Sequence, residues 1–224
     1  MPHYRSFFDW QLNVHDLSKA PIWDSTTGFG GDGNPSEPKT VNDARCVTDG
    51  PFANLSVLYY GDESKPHCLS RGLQQPADMA KYFSARVSKD AIAELMATPR
   101  YEDFNLNMEH GPHLAMPHAV LGDFLVDTAP NGSFPRIQVD RPVLTTWLVD
   151  PVFFLHHAQL DRLWWKWQHA KPGRLREYNG ESSHRSGKEA SLQDQLEMGV
   201  LAPAAEVGSV IDARSGILCY SYAY

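Results

Sequence analysis

The spacing of apolar positions along the chain predicts a mainly α protein with long loops. Ile92, Leu95 and Met96 recur at helical spacing inside residues 77–98. Ser88 is placed to cap the part from Lys89 onward, and Pro99 ends it. A short helix follows near 101–109, and another apolar segment spans 117–126. The clearest helix is DPVFFLHHAQLDRLWWKWQ, residues 150–168. Asp150 stands at its N-cap and Pro151 at its first position, where the missing N–H costs nothing. Lys171-Pro172-Gly173 stops it after about His169. Residues 20–76 are rich in Gly, Pro, Asp, Asn and Ser, which is loop chemistry with tight turns at Gly28, Gly30 and Gly31. Residues 174–193 are polar and loop-like, and the tail GILCYSYAY alternates like a strand that packs back on the domain.

Composition narrows the function classes. A chain of 224 residues suits one domain with an irregular extension and can bury a real core. Hydrophobics at 42% against 21% charged residues read as globular. A formal charge of −7 argues against a nucleic-acid partner, which would need a basic face to meet phosphates. No apolar run reaches the length of a membrane span, and MPHYRSFFDW lacks the charged-then-apolar pattern of a signal peptide. Cys46, Cys68 and Cys219 form no CxxC pair; Cys46 and Cys68 are free to be bridged or not. Asn54-Leu55-Ser56 and Asn131-Gly132-Ser133 fit the glycosylation pattern.

Five of the ten histidines fall in two clusters. MEHGPHLAMPHAV, residues 108–120, carries His110, His113 and His118; the 150–168 helix carries His156 and His157. Imidazole binds copper, zinc and iron, so two ligands from one segment and one from another helix would hold a single ion. His157 and Asp161 stand four apart and share a helix face, with Phe153 and Phe154 one turn earlier. A histidine among aromatics is desolvated, which favours its neutral, metal-binding form. Asp161 is then placed to support the ligand shell or to pair with a cation such as Arg162. Phe153, Phe154 and Trp147 line a pocket or simply pack the core.

Asp150-Pro151-Val152-Phe153-Phe154-Leu155-His156-His157 followed by Asp161 resembles the second copper-site motif of tyrosinases and related polyphenol oxidases. PIWDSTTGFGGDG, CVTDGPFANL and HCLSRG are similar to a fungal branch of that family, whose members are often secreted. Cys219-Tyr220-Ser221-Tyr222 resembles the paired-tyrosine strand that closes the catalytic domain there. The resemblance implies a helical bundle holding two coppers on three histidines each, with dioxygen and small phenols or catechols as reactants and o-quinones as products. It implies one domain over 1–224: a loop-rich segment 1–76, a copper-site core 77–170, and a C-terminal loop and closing strand 171–224.

Carried over residue by residue, the resemblance makes His157 the third ligand of the second copper and His156 its neighbour. The other two ligands normally stand four apart. His113 and His118, whose flanks EHGPH and PHAVLGDF match the two positions, stand five apart, with Pro117 placed to begin a new turn and relieve the mismatch. His110 is the alternative to His118. Glu109 resembles a glutamate that orders a water in hydroxylating members, and a carboxylate there would help deprotonate a phenol. Leu114, after His113, stands where such members often keep a polar residue, which points to o-diphenol oxidation over monophenol hydroxylation.

Phe7-Phe8-Asp9-Trp10 resembles the segment that follows the family's first copper site, so the bundle is expected to be incomplete here. His3, His15 and His67 take no first-site role, and His15 and His67 are expected to be solvated. An incomplete bundle would expose apolar surface such as Trp164 or Trp165. Three readings follow: a tyrosinase-like or catechol-oxidase-like copper enzyme, a mononuclear metal-binding or interaction module without catalysis, and a dimer that composes a site across chains.

Overall fold

The computed structural model describes residues 3–60, 63–125, 150–182, 186–199, 202–214 and 216–223. Asn131-Gly132-Ser133, Trp147 and His184 lie outside them. In chain order, β1 (His3–Tyr4) leads into three single 3-10 turns, Trp10–Asn13, Leu17–Lys19 and Pro21–Trp23. Asp9 and Asp16 start the first two by accepting the N–H groups of Gln11 and Ser18. β2 (Arg45–Cys46), β3 (Ser56–Tyr60), β4 (Glu63–Cys68) and β5 (Ser70–Arg71) form two small antiparallel pairs, β2 with β5 and β3 with β4. Cys46 and Cys68 form a disulfide, with Cα atoms 5.4 Å apart.

Helices carry the rest. α1 (Pro76–Met79) and α2 (Ala85–Val87) are joined by a wide π-turn, Ala80–Ser84. α3 (Lys89–Ala97) starts at Ser88, whose side chain accepts the Ala91 N–H as the sequence predicts. α4 (Tyr101–Met108) runs into a second wide turn, Glu109–His113, kinked at Gly111, and then α5 (Leu114–Val120). α6 (Val152–His169) is the longest helix. It starts one residue later than its sequence signals suggest. Pro151 precedes it, and Asp150 Oδ1 accepts the Val152 N–H at 3.0 Å. β6 (Gln195–Leu196), β7 (Ala205–Glu206), α7 (Val207–Val210) and β8 (Tyr220–Ser221) complete the chain. No helix among the described residues is long and apolar enough to cross a membrane.

One apolar core joins the 3-10 turns to the helices through Trp10, Phe83, Phe104, Met116, Leu163 and Trp167. Burying side chains of this size stabilises by roughly 1.5–3 kcal/mol each. Trp165 is buried with Ala213 and Tyr222, and Trp164 is packed against the main core, so neither is the exposed surface that the sequence suggests. Exposed apolar side chains sit elsewhere, at Phe154, Leu106 and Tyr82. His67 is not solvated. Its ring is buried on β4, and Nε2 meets Asp123 Oδ1 at 2.9 Å.

The long loop is pinned to the start of α6 by one arginine. Arg71 meets Asp150 through Nε–Oδ2 at 2.6 Å and Nη2–Oδ1 at 3.0 Å, both side chains fully buried. Its Nη1 donates to the carbonyls of Phe29, Gly30 and Gly31. Gly30 takes φ +83°, and a Cβ there would lie 2.6 Å from the Asp49 carbonyl oxygen, so the loop needs glycine at that position. Removing one partner of such a buried pair costs about 3–5 kcal/mol, because the other charge is stranded.

Candidate metal centre

His156 and His157 are consecutive on α6 and therefore point about 100° apart. His156 is fully buried, next to Trp10 and Phe124. His157 is half-buried and stacks on Phe153, with ring centroids 4.0 Å apart. The turn after α4 delivers a third ring. With Pro112 buried and Gly111 kinked, the chain reverses so that His113 faces α6. One ring nitrogen from each of His113, His156 and His157 lies within 4.8 Å of the other two. No second group of three such side chains occurs among the described residues.

The electrostatics suit a metal. His157 is pushed from its ordinary 6.5 down to about 4, by burial first and then by His113, with Glu109 opposing. His156 is held well below the ordinary range by burial, with His157 and His113 adding to the effect. Neutral imidazoles keep the lone pairs that a metal needs. His113 Nδ1, His156 Nε2 and His157 Nε2 are buried and without hydrogen-bond partners. Buried polar atoms are almost always paired, so three orphans in one place mark a site open to an ion or ligand. The residues therefore suit copper, which takes imidazole readily.

Glu109 belongs to the same turn. Its Oε2 lies 2.8 Å from His113 Nδ1, yet that nitrogen makes no well-directed hydrogen bond. The contact with His113 is still the main reason its carboxyl sits below the usual range, against the opposing effect of burial. Glu109 is thus a carboxylate beside the histidine group.

His118 lies elsewhere. Five residues along a helix turn through about 140° beyond a full turn, so His113 and His118 cannot share a face of α5. Pro117 does not relieve this, because it sits inside α5 and the kink falls at Gly111 instead. His118 is exposed and lines a cavity of about 450 Å³ with Gln74, Asp78, Tyr82 and Phe83. Burial and the Arg86 charge lower its pKa. His110 is exposed too and is not part of the histidine group.

Among the described residues Asp161 pairs with no arginine. Its Oδ2 accepts the hydroxyls of Tyr220 at 2.7 Å and Tyr222 at 2.6 Å. This ties β8 to α6 one turn from His157. β8 in turn pairs in parallel with β1, His3 opposite Tyr220. Arg162 instead sits over the Phe7 ring and near Asp9.

Residues 4–170 match the family described as "Tyrosinase: Common central domain of tyrosinase". The chain belongs to the tyrosinase family. It is 41% identical over 234 residues to the "Tyrosinase-like protein phomQ1" of Diaporthe leptostromiformis, covering 96% of this chain and 56% of that one. It is 35% identical over 217 residues to "Tyrosinase ustQ" of Aspergillus flavus, covering 96% and 56%. The chain spans about half the length of these relatives. A solved polyphenol oxidase from Thermothelomyces thermophila shares the fold, with a TM-score of 0.66 at 23% identity, covering 97% of this chain and 65% of that one. The tyrosinase family is one of copper oxidases that act on phenols with dioxygen, and the mainly α architecture expected from the sequence is that of the fold.

The sequence motif singled out His157 and placed His156 beside it as a neighbour. It gave no sign that His156 enters the group as closely as the others. Nor did it point to Trp10, whose indole reaches His156 from the far end of the sequence.

Proposed function

We propose that the chain is a single copper-binding oxidoreductase domain over 1–224, with loop-rich 1–76, helical 77–170 and closing 171–224 segments. Its substrates are o-diphenols and its reaction is their oxidation to o-quinones. The observation that carries this reading is the meeting of His113, His156 and His157, each with a ring nitrogen that lacks a hydrogen-bond partner, in a chain of the tyrosinase family. His113 and His157 are the ligands that the geometry supports best. The family pattern assigns the remaining position to His118, which would require α5 to rotate. Copper supplies, when bound, the electron exchange that couples phenol oxidation to the reduction of dioxygen. Phe153 holds the His157 ring by stacking and excludes water from one face. Glu109, kept ionised by His113, is the acceptor for the proton of a phenolic hydroxyl. Leu114 beside His113 leaves that wall apolar, which favours substrates already carrying two hydroxyls.

A second reading is favoured by the single three-histidine group among the described residues. In it the domain binds one metal ion and does not turn over alone. Elemental analysis of the copper-loaded protein, with oxygen uptake on catechol, separates the two. Two coppers with oxygen uptake support the oxidase; one copper without uptake supports the mononuclear module. Either reading expects His157→Ala to lose copper, and full retention by that variant would overturn both.

A further inference from the structure

We infer that Trp10 selects the tautomer of His156, so that this histidine enters the three-ring group as a hydrogen-bond donor and leaves metal binding to its neighbours. The argument rests on the reading above that the group holds copper. An indole N–H can only donate. Trp10 Nε1 donates to His156 Nδ1 at 3.2 Å, in a fully buried contact. A neutral imidazole has one N–H and one lone pair. The Nδ1 lone pair is taken by Trp10, so the proton sits on Nε2. That Nε2 is buried and has no hydrogen-bond partner. His156 therefore presents an N–H, not a lone pair, to the space it shares with His113 and His157. To ligate through Nε2 it would have to give up the Trp10 bond or ionise to imidazolate.

The surroundings make this tautomer hard to change. Trp10 is completely buried in the first 3-10 turn, which Asp9 starts. Phe8 N–H donates to the Leu155 carbonyl at 3.0 Å, and Gln159 Nε2 to Asp9 Oδ1 at 3.2 Å, so the segment carrying Trp10 is fastened to α6 on both sides of His156. The ring planes agree. His156 lies parallel to His113, 4° apart in plane, while His157 is nearly perpendicular to both. Among the described residues no such hydrogen bond fixes the tautomer of His157, whose Nε2 lies orphaned and whose ring face is covered by Phe153. The adjacent pair thus divides the work: His157 donates electrons to a metal, and His156 offers a proton-bearing nitrogen to an acceptor beside it. Trp10 acts through His156 and is a positioning residue.

The test is a long-range proton–nitrogen NMR spectrum of the wild-type protein with ¹⁵N-labelled histidine, metal-free and loaded with diamagnetic Zn(II). The expected result is the Nε2–H tautomer for His156 in both states and a metal-induced nitrogen shift at His157 but not His156. An Nδ1–H tautomer, or a metal shift at His156 Nε2, would overturn the inference. Trp10→Phe keeps an aromatic core and removes the N–H; it should give a mixture of His156 tautomers and a heterogeneous Cu(II) EPR spectrum. A folded Trp10→Phe with an unchanged tautomer would also overturn it. His156→Gln can accept from Trp10 and donate from its amide, and needs no change at Trp10. It should lower copper affinity by no more than about 10–100-fold, the range of changes outside the ligand set. Stoichiometric loss of copper in His156→Gln would make His156 a ligand. Absence of metal uptake by the wild type would instead sink the copper reading, while the metal-free tautomer would still report on Trp10.

Discussion

At the scale of single residues, the chemistry of the centre is set by burial. A histidine whose pKa is depressed on folding stays neutral in the folded state while the unfolded chain takes up a proton, so acid favours unfolding. For His157 the window runs from 6.5 down to about 4, and buried His156 acts in the same direction. Thermal denaturation of the metal-free protein should therefore show a melting temperature that falls as pH drops through that window. His157→Gln should flatten the dependence, and an equal slope in the variant would show that the loss comes from other groups. His157 was legible in the sequence because its motif is local: Phe153, the histidine pair and Asp161 all lie within three turns of one helix. The Trp10 contact was not, because it spans 146 positions and no periodicity links its two ends. The sequence leaves Asp161 as a support for the ligand shell or as a partner for a cation such as Arg162. It is instead an acceptor for two hydroxyls, a choice that only the folding of the tail onto α6 decides.

At the scale of elements, α6 was readable to within about a residue at either end, since Asp150-Pro151 and Lys171-Pro172-Gly173 are start and stop signals carried by neighbours in sequence. The turn before α5 was not. The sequence suggested that Pro117 would restart the helix and bring His118 round beside His113, but proline in the first turn of a helix does little harm and α5 runs through it. The break falls at Gly111-Pro112, ahead of both histidines, and therefore reorients them together without changing the angle between them. The contact between α6 and β8 gives a direct prediction. A hydrogen bond to a charged group contributes about 1.5–3 kcal/mol, so Tyr222→Phe should cost about that much in urea denaturation. Asp161→Ala should cost more than Tyr220→Phe or Tyr222→Phe, because it strands both hydroxyls, which burial and the carboxylate keep protonated. A smaller cost for Asp161→Ala would show that water replaces the carboxylate.

For the whole molecule, the mainly α reading held because the helices carry the apolar periodicity, whereas the strands of residues 45–71 lay hidden inside what reads as loop. A strand of two residues, such as β2 or β5, has no room for alternation. What organises that region is covalent and ionic: the Cys46–Cys68 bridge and the Arg71–Asp150 pair. Closing the chain between those cysteines should stabilise the protein by about 3 kcal/mol on the loop-entropy argument. Unfolding the reduced protein beside the oxidised one should show that difference; equal midpoints would mean that the loop is as restricted without the bridge.

The parallel pairing of β1 with β8 has a mechanical side. Because the two strands run in the same direction, the chain enters at one end of the pair and leaves at the other. Tension applied through the two ends is then directed along the strands, loading their hydrogen bonds in shear rather than peeling them open in turn. The tyrosine hydroxyls on Asp161 share that load, so the helix that bears His157 lies in the line of pull. Pulled through β1 and β8, this domain would carry the load at the clasp beside its histidine centre, and a force that breaks the clasp would free that helix from its support.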